Sequence, residues 1–272
     1  MQTKVVLITG ASSGIGLETA KQLMQKGVRV YAASRRGGTA EKAGNGAGEI
    51  IPVKMDVNKM EDIQAVLSKI LDENGRLDAV VCNAGNGIAG AVEDCSEEEI
   101  RRQMETNFFG TVKTIQACLP VFRKQAHGKI MTTSSVAAVV PIPFQAFYSA
   151  GKSAVSIFMH ALSMETKPFG IQCCTVYPGD TKTEFTASRE YAEKSQLPDS
   201  VYAEKMKASV GKMEKDEMNG MSASFVARKM AEQLLRKKMK PAVVPGLQYK
   251  LICAVFSVLP LRLCLWIVGK LY

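Results

Sequence analysis

Short apolar runs alternate along the chain with longer stretches in which apolar residues recur at helical spacing. The runs predict strands at residues 5–9, 28–33, 50–55, 79–82, 129–133, 172–177 and 242–244. The longer stretches predict helices near residues 15–26, 59–73, 97–125 and 147–167. Continuous apolar strands separated by helices are typical of a parallel sheet that is covered on both faces. The pattern therefore predicts an α/β fold with a doubly wound parallel sheet.

The length and composition suit a chain that folds around one core. Of the 272 residues, 46% are hydrophobic, which allows one sizeable core to be buried. There is neither an internal repeat nor a low-complexity linker, so residues 1–272 are predicted to form a single domain. The glycine-rich residues 37–48 predict a loop after the second strand. Ser96 followed by Glu99 is a capping box that opens the third helix.

The net charge of +9 could attract nucleic acid, an anionic membrane surface, or phosphorylated cofactors and substrates. The lysines are scattered, however, and lack the interleaved aromatic residues that single-strand binders use. We therefore expect no nucleic-acid partner.

The cysteines and histidines predict neither disulfides nor a metal site. The seven cysteines are odd in number, lack a Cys-x-x-Cys pair and lie mostly in apolar runs, as expected of reduced thiols in a cytoplasmic protein. Adjacent Cys173 and Cys174 are predicted to face opposite sides of the sheet. His127 and His160 are far apart, with no ligand spacing around them. The first apolar run reaches glycines too early for a signal peptide.

The first strand runs directly into a glycine-rich turn and then a helix. Gly10, Gly14 and Gly16 lie at this junction, where backbone N–H groups and the helix dipole suit a pyrophosphate. Their spacing is Gly-x-x-x-Gly-x-Gly, which differs from the usual dinucleotide fingerprint. The alternative is a tight turn that needs glycine for structural reasons alone. The glycine-rich turn follows the first strand of an alternating fold, and this position favours dinucleotide binding.

The second strand ends in two arginines, Arg35 and Arg36. NAD-binding proteins usually place an acid about 20 residues after the glycines to hold the ribose 2′-hydroxyl. A carboxylate would repel a 2′-phosphate, whereas guanidinium groups pair with one. The sequence therefore favours NADP(H) over NAD(H), with two exposed arginines in a solvated loop as the alternative.

Tyr148 and Lys152 are four residues apart on a predicted helix, so the phenol and the ammonium lie on one face. A free tyrosine has a pKa near 10, and a nearby positive charge favours its phenolate. Such a pair can exchange a proton with a carbonyl or an alcohol. Alone, the spacing is also found on solvated helix faces. Ser135, thirteen positions before the tyrosine, adds a hydroxyl to the pair.

These motifs resemble the short-chain dehydrogenase/reductase family over nearly the whole chain. Residues 9–16 are similar to its coenzyme turn, and residues 82–85 to its Asn-Asn-Ala-Gly segment, with Cys82 at the first Asn. Its catalytic tetrad is matched by Asn107, Ser135, Tyr148 and Lys152. The resemblance implies a single Rossmann-type domain whose cofactor-binding residues are Gly10, Ser12, Ser13, Gly14, Ile15, Gly16, Arg35, Arg36, Asp56, Val57, Asn83, Ala84, Gly85, Tyr148, Lys152, Pro178, Gly179, Thr181 and Thr183.

The resemblance also implies a role for each member of the tetrad. Tyr148 would protonate the carbonyl oxygen, and Lys152 would lower the pKa of the tyrosine and hold the nicotinamide ribose. Ser135 would stabilise the developing oxyanion. Asn107 would kink its helix and hold a water that links the lysine to solvent. Ser134 is the neighbouring serine, which the family's spacing does not select.

The polar, Met- and Lys-rich residues 184–220 occupy the position of the family's mobile substrate loop. Seven apolar side chains, six within this stretch and one directly after it, could line an adaptable pocket or simply pack on the core. They are Phe185, Tyr191, Tyr202, Met206, Met213, Met218 and Met221.

The tail, residues 247–272, contains the most apolar stretch of the chain, at 251–268. That stretch just reaches the length of a spanning helix, but Pro260 and Arg262 lie at its centre, where an arginine is costly in lipid. Two short helices around Pro260 are favoured. They would cover the substrate cleft, pack on a partner subunit, or touch a membrane peripherally.

An apolar tail of this kind resembles the hydroxysteroid and retinol dehydrogenase branch of the family. The favoured function is an NADP(H)-dependent oxidoreductase that acts on the CH–OH group of a lipophilic, steroid-like alcohol or the matching ketone. The alternatives are a reductase of small carbonyls or 3-oxoacyl thioesters and a non-catalytic NADP(H)-binding regulator. The family is usually dimeric or tetrameric, so a homodimer or homotetramer is expected.

Overall fold

A central eight-stranded sheet organises the computed structural model, which describes residues 4–44 and 48–272. The strands are β1 (Val5–Thr9), β2 (Arg29–Ser34), β3 (Glu41–Lys42), β4 (Glu49–Lys54), β5 (Ala79–Cys82), β6 (Gly128–Thr133), β7 (Ile171–Val176) and β8 (Ala242–Val243). Their order in the sheet is β8-β7-β6-β5-β1-β2-β4-β3, and every neighbouring pair except β3–β4 is parallel. The predicted doubly wound parallel sheet is thereby confirmed.

Ten α-helices connect and cover the strands in the described part of the chain. They are α1 (Gly14–Met24), α2 (Met60–Asn74), α3 (Glu97–Met104), α4 (Gly110–Gln125), α5 (Ala146–Thr166), α6 (Glu184–Ala187), α7 (Ala203–Met218), α8 (Ala223–Leu235), α9 (Leu247–Val258) and α10 (Leu261–Leu271). The predicted capping box is present, because Glu99 N donates to Ser96 Oγ while Ser96 N donates to the Glu99 carboxylate.

Each sheet face packs against its own set of helices, as the alternation of side chains along a strand requires. On one face Leu7 and Ile130 contact residues of α2, α4 and α5. On the other face Ile8 and Met131 contact residues of α1 and α8. Cys173 lies in the first of these layers and Cys174 in the second, which confirms that the adjacent cysteines face opposite sides.

The segment predicted as a loop at residues 37–48 contains a short edge strand. In it β3 runs antiparallel to β4, and Ala43 N donates to Gly48 O at 2.9 Å. Residues 45–47 lie outside the described residues. An edge strand of two residues has no hydrophobic periodicity of its own, so the sequence gives no signal for it.

Candidate active site

The predicted cofactor-binding segments all follow the carboxyl ends of parallel strands. The turns after β1, β2, β4, β5, β6 and β7 hold residues 10–16, 35–36, 56–57, 83–85, 134–135 and 178–183, respectively. In open α/β sheets this edge is where ligands bind. The fold therefore brings the predicted residues to one side of the sheet.

The glycine turn has a geometry that side chains would block. Gly10 and Gly14 have positive φ angles of 64° and 55°. A Cβ on Gly16 would lie 2.4 Å from the carbonyl oxygen of Gly10. The start of α1 can therefore lie this close to the end of β1 only because residue 16 is glycine. Ser13 caps α1 with extended backbone and no side-chain hydrogen bond to the helix, and Ile15 belongs to its first turn. The free N–H groups at this end fit a pyrophosphate.

Asn83 ties the glycine turn to the neighbouring strand ends. Its Nδ2 donates to the carbonyl oxygen of Gly10 at 3.1 Å, and its Oδ1 accepts from the Thr133 hydroxyl at 3.1 Å. The Thr9 hydroxyl accepts from the backbone N–H groups of Asn83 and Ala84. Thr9 opens the predicted coenzyme turn. Thr133 was not identified from the sequence, since a single threonine at a strand end carries no distinctive signal.

The two arginines lie in an exposed turn directly beside the glycine turn. Ser34 Oγ donates to the Gly37 carbonyl oxygen at 2.7 Å and closes the turn that holds Arg35 and Arg36. The Arg36 guanidinium reaches back and donates to Ser12 Oγ at 3.3 Å. Both side chains are exposed, so they are accessible to a phosphate at this edge of the sheet.

Asp56 and Val57 lie after β4, on the same edge. The carboxylate of Asp56 accepts from Asn58 N at 3.0 Å. The buried Val57 side chain lies 2.7 Å from the position that a Cβ on Gly110 would take, so it packs closely on the start of α4. The placement of this pair agrees with its predicted cofactor-binding role, which stays a prediction.

Asn107 lies in a wide turn that interrupts the helix predicted over residues 97–125. Residues Glu105–Phe109 form a π-helical turn between α3 and α4, which is a frequent feature of functional sites. The buried Asn107 amide accepts from Asn86 N and donates to Asn86 O, both at 2.9 Å. Gly85 makes this approach possible, because a Cβ there would lie 2.9 Å from Asn107 Oδ1 and 3.4 Å from Lys152 Nζ.

Tyr148 and Lys152 lie on one face of α5, as predicted. The ammonium of Lys152 is 5.7 Å from the centre of the Tyr148 ring and donates to the Thr133 carbonyl oxygen at 2.9 Å. Ser135 opens a short 3₁₀ turn, in which its Oγ accepts from Ala137 N at 3.1 Å. Ser134 is buried and its hydroxyl donates to the Lys152 carbonyl oxygen, so this serine supports α5.

Burial controls the pKa values of both groups in the free protein. It raises the pKa of Tyr148 to about 12, an effect that the hydrogen bond of Ser135 opposes and that the charge of Glu217 reinforces. Burial lowers the pKa of Lys152 to about 8. This differs from the sequence-based expectation of a lowered tyrosine pKa. Tyr148 is consequently protonated at neutral pH and able to donate a proton.

The segment after β7 lies against the glycine turn. Thr183 lies 3.4 Å from the position of a Cβ on Gly14. Pro178 O accepts from Val136 N at 2.9 Å, and the Thr181 hydroxyl donates to the Gly179 carbonyl oxygen at 2.7 Å. The placement of this segment against the glycine turn agrees with its predicted cofactor-binding role, which stays a prediction.

The tail contributes one residue to this segment that was missed from the sequence. The Tyr249 ring occupies the space beside Gly179, where a Cβ would lie 2.2 Å from it. Its hydroxyl donates to Asp180 Oδ2 at 2.9 Å. Nothing in the residues around Tyr249 indicated this contact, because it joins parts of the chain that are 69 positions apart.

The seven apolar side chains of residues 184–221 take different places. The Phe185 ring centre lies 5.8 Å from that of Tyr148, which places it at the site. Met206 and Met213 are buried in a small cluster that Tyr191 packs against, whereas Met221 packs against the main core. The remaining two lie at the surface: the Tyr202 hydroxyl donates to Glu93 and Met218 is 53% exposed.

A buried ionic cluster holds the segment around Phe185 in place. The Arg189 side chain is 1% exposed and pairs with Glu217 at 2.6 Å and with Glu214 at 3.4 Å. Its guanidinium lies 5.7 Å from the centre of the Phe185 ring. Since both glutamates belong to α7, the cluster joins the segment beside Tyr148 to that helix. This ionic cluster was not predicted, because charged residues in a polar segment are ordinarily solvent-exposed.

The tail forms two short helices, α9 and α10, that meet at Pro260, as predicted. Within residues 4–44 and 48–272, no helix combines the length and the apolar character needed to cross a bilayer. One side of α10 forms a wall of a cavity of about 580 Å³, whose other walls are residues 137–143 and α5.

Comparison with known proteins identifies relatives along most of the chain. The sequence model described as short chain dehydrogenase matches residues 4–194. A 3-ketodihydrosphingosine reductase from Bacteroides thetaiotaomicron is 40% identical over 237 residues, or 87% of this chain and 86% of that protein. The human 17-beta-hydroxysteroid dehydrogenase type 1 is 32% identical over 195 residues, or 68% of this chain and 59% of that protein.

Solved structures share the same architecture. A short-chain dehydrogenase from Streptomyces avermitilis has a TM-score of 0.77 at 26% identity and covers 93% of this chain and 92% of its own. A Burkholderia phymatum protein of the same fold in complex with NAD has a TM-score of 0.78 at 20% identity, with 93% and 92% covered. The family-model match and the identity to the Bacteroides relative together show that this chain is an oxidoreductase of the short-chain dehydrogenase/reductase family.

Proposed function

We propose that the protein uses NADP(H) to interconvert a ketone and a secondary alcohol on a lipophilic substrate. The observation that carries this proposal is that Ser135 hydrogen-bonds Tyr148, while Lys152 lies beside the Tyr148 ring and, with Asn107, next to Gly85. When bound, the dinucleotide supplies the hydride in reduction. The residues of this chain supply position, a proton and charge stabilisation.

In the reducing direction, Tyr148 donates its proton to the carbonyl oxygen of the substrate. The hydride that a bound dinucleotide would supply to the carbonyl carbon would complete the conversion of the ketone to the alcohol. The Ser135 hydroxyl donates a hydrogen bond to the same oxygen and stabilises the charge that develops there. Lys152 places a positive charge close to the tyrosine, which favours the phenolate left after proton transfer.

The choice of NADP(H) follows from the charges at the end of β2. Arg35 and Arg36 are exposed beside the glycine turn, and the turn from Ser34 to Gly37 contains no acid. Guanidinium groups bind phosphate oxygens through charge-assisted hydrogen bonds. A 2′-phosphate at this position would gain these contacts, whereas a plain ribose hydroxyl would not.

For the substrate, a long-chain ketone of the sphingoid-base type is favoured. The relative with 40% identity over 87% of this chain reduces 3-ketodihydrosphingosine, as its name states. The Phe185 ring beside Tyr148 gives the site an apolar wall. A ketosteroid is the second candidate, because the relative named as a 17-beta-hydroxysteroid dehydrogenase is 32% identical.

A substrate panel tests this proposal directly. NADPH oxidation is measured against 3-ketodihydrosphingosine, a set of ketosteroids, retinal, small ketones and acetoacetyl thioesters. We expect the highest kcat/KM for the long-chain ketone and a lower value for ketosteroids. A preference for the thioester would refute the lipophilic assignment. Binding of NADPH without turnover of any carbonyl would instead support the regulator alternative.

The pKa of Lys152 predicts the alkaline limb of the pH profile. Burial lowers this pKa to about 8, so the ammonium is charged below that pH and loses its charge above it. Because kcat/KM reports the free enzyme, kcat/KM for NADPH should fall as the pH rises through about 8. Steady-state rates from pH 6 to 10 at a fixed ketone concentration measure it. A profile that stays flat up to pH 10 would contradict the assignment.

A further inference from the structure

We propose that the outer face of α9 and α10 docks on the surface of a bilayer that contains anionic lipids. We call this surface the tail face. It is formed by Leu251, Ile252, Val255, Val258, Leu261, Leu263, Leu265 and Trp266. The inference concerns where the enzyme works, beyond the reaction proposed above.

The tail face exposes far more apolar surface than a helix in water normally does. Val258 is 80% exposed, Leu261 is 70% exposed and Trp266 is 61% exposed. In α9, Tyr249 is the one buried residue, although this helix is among the most apolar segments of the chain. Large contiguous apolar patches on soluble domains mark interaction sites.

The exposure does not result from a detached tail, because both ends of the tail are anchored. At the start, Tyr249 donates to Asp180 and packs on Gly179. At the end, Tyr272 packs against the small cluster of α7 and lies 5.5 Å from Lys212 Nζ. Between these anchors, Cys264 and Val268 are buried. The tail face is therefore exposed on helices that are packed against the rest of the domain.

The charges around the tail face select an anionic surface as its occupant. Residues 247–272, which form the tail, contain no Asp or Glu and carry three basic residues. All three are exposed: Lys250, Arg262 and Lys270. Basic residues next to an apolar helical face are typical of helices that lie in the headgroup region of anionic membranes. A second copy of the chain would bring like charges together.

The lengths of the two helices indicate that they lie along the membrane surface. They have 12 and 11 residues and are separated by Pro260, so each is shorter than a span requires. Docking would also place the cavity walled by α10 and α5 next to the lipid. If the proposed substrate class is correct, this arrangement puts the catalytic helix close to the membrane in which such a ketone dissolves.

The experiment uses Trp266, which is the single tryptophan of the chain and belongs to the tail face. The full-length protein is titrated with phosphatidylcholine vesicles with and without phosphatidylglycerol. Its fluorescence should shift to the blue with the anionic vesicles, and the apparent affinity should be at least about tenfold higher than for phosphatidylcholine alone. High salt should weaken the binding, since screening reduces the attraction to headgroups.

Matched variants locate the contact. The double variant Leu251→Ser/Val258→Ser, which keeps the tryptophan, should weaken vesicle binding by about tenfold or more, because two apolar side chains lose their burial. The control Ile157→Ser/Met164→Ser removes two side chains of similar exposure from α5 and should leave binding unchanged. NADPH-dependent reduction of a small water-soluble ketone is measured for both variants and reports the catalytic site separately.

Three outcomes would overturn the proposal. They are no fluorescence shift with any vesicle, equal binding to neutral and anionic vesicles, and unchanged binding by the Leu251→Ser/Val258→Ser variant. If that variant instead converts a dimer to a monomer in sedimentation velocity while vesicle binding stays the same, the tail face is an interface between copies. If the wild-type protein reduces no ketone, the proposed reaction is refuted and the result on membrane binding still stands.

Discussion

Replacing Tyr148 with phenylalanine is expected to lower kcat for ketone reduction by about 10²–10⁴-fold, the usual contribution of a general acid. The change removes the hydroxyl that donates the proton and keeps the ring that lies against Phe185. The apolar wall of the site is therefore preserved. The Kd for NADPH should stay within about threefold of the wild-type value, because the glycine turn and the arginines are untouched. Steady-state NADPH oxidation measures the first quantity, and fluorescence titration measures the second.

A matched control separates catalysis from general damage. Tyr202→Phe also removes one hydroxyl, but this hydroxyl donates to Glu93 at the surface. The control variant should keep its activity, because the Tyr202 hydroxyl lies at the surface and takes no part in the proton transfer. Equal melting temperatures of the two variants would show that the fold is intact. Wild-type turnover by Tyr148→Phe would refute the role assigned to this tyrosine.

The strands of the main sheet were predictable because their signal is local. A buried parallel strand is a continuous apolar run, and its length and flanks can be read directly. The seven predicted strands accordingly lie within one residue of β1, β2 and β4–β8 at each end. The edge strand β3 was missed, since its two residues are polar and its pairing with β4 depends on the chain turning back.

The predicted site segments could be placed because they follow strand ends, whose common edge is fixed by the topology. What holds them there was not predictable. Arg189 and Glu217 form their ion pair across 28 positions, and Tyr249 reaches Asp180 across 69. Such contacts depend on how elements pack in three dimensions, and neither periodicity nor a motif encodes them. The raised pKa of Tyr148 has the same origin, because burial is its largest cause.

The helix predicted over residues 97–125 shows the same limit within one element. Its apolar spacing is right along most of its length, but a π-helical turn divides it at Glu105–Phe109. This turn places Asn107 against the backbone of Asn86, which lies 21 positions earlier in the sequence. The family resemblance implied the kink, whereas the residues themselves gave only a continuous helix.

Replacing Arg35 with aspartate should reverse part of the preference for NADPH. The change removes one guanidinium and places a carboxylate where a 2′-phosphate would lie, so attraction becomes repulsion. A charge-assisted hydrogen bond contributes about 1.5–3 kcal/mol, which corresponds to a loss of roughly 10- to 150-fold in kcat/KM for NADPH. The value for NADH should hold or rise, because a carboxylate there can accept from the ribose 2′-hydroxyl.

Two further arginine variants, one at Arg36 and one at Arg123, show whether position or net charge sets the cofactor preference. Arg36→Asp should act in the same direction, and additionally removes the hydrogen bond to Ser12 at the glycine turn. Arg123→Asp makes the same charge change at the exposed end of α4 and should leave the ratio of NADPH to NADH efficiency unchanged. If the ratio moves equally in all three variants, net charge alone sets it. A ratio that moves only for Arg35 and Arg36 assigns the 2′-phosphate to the turn after β2.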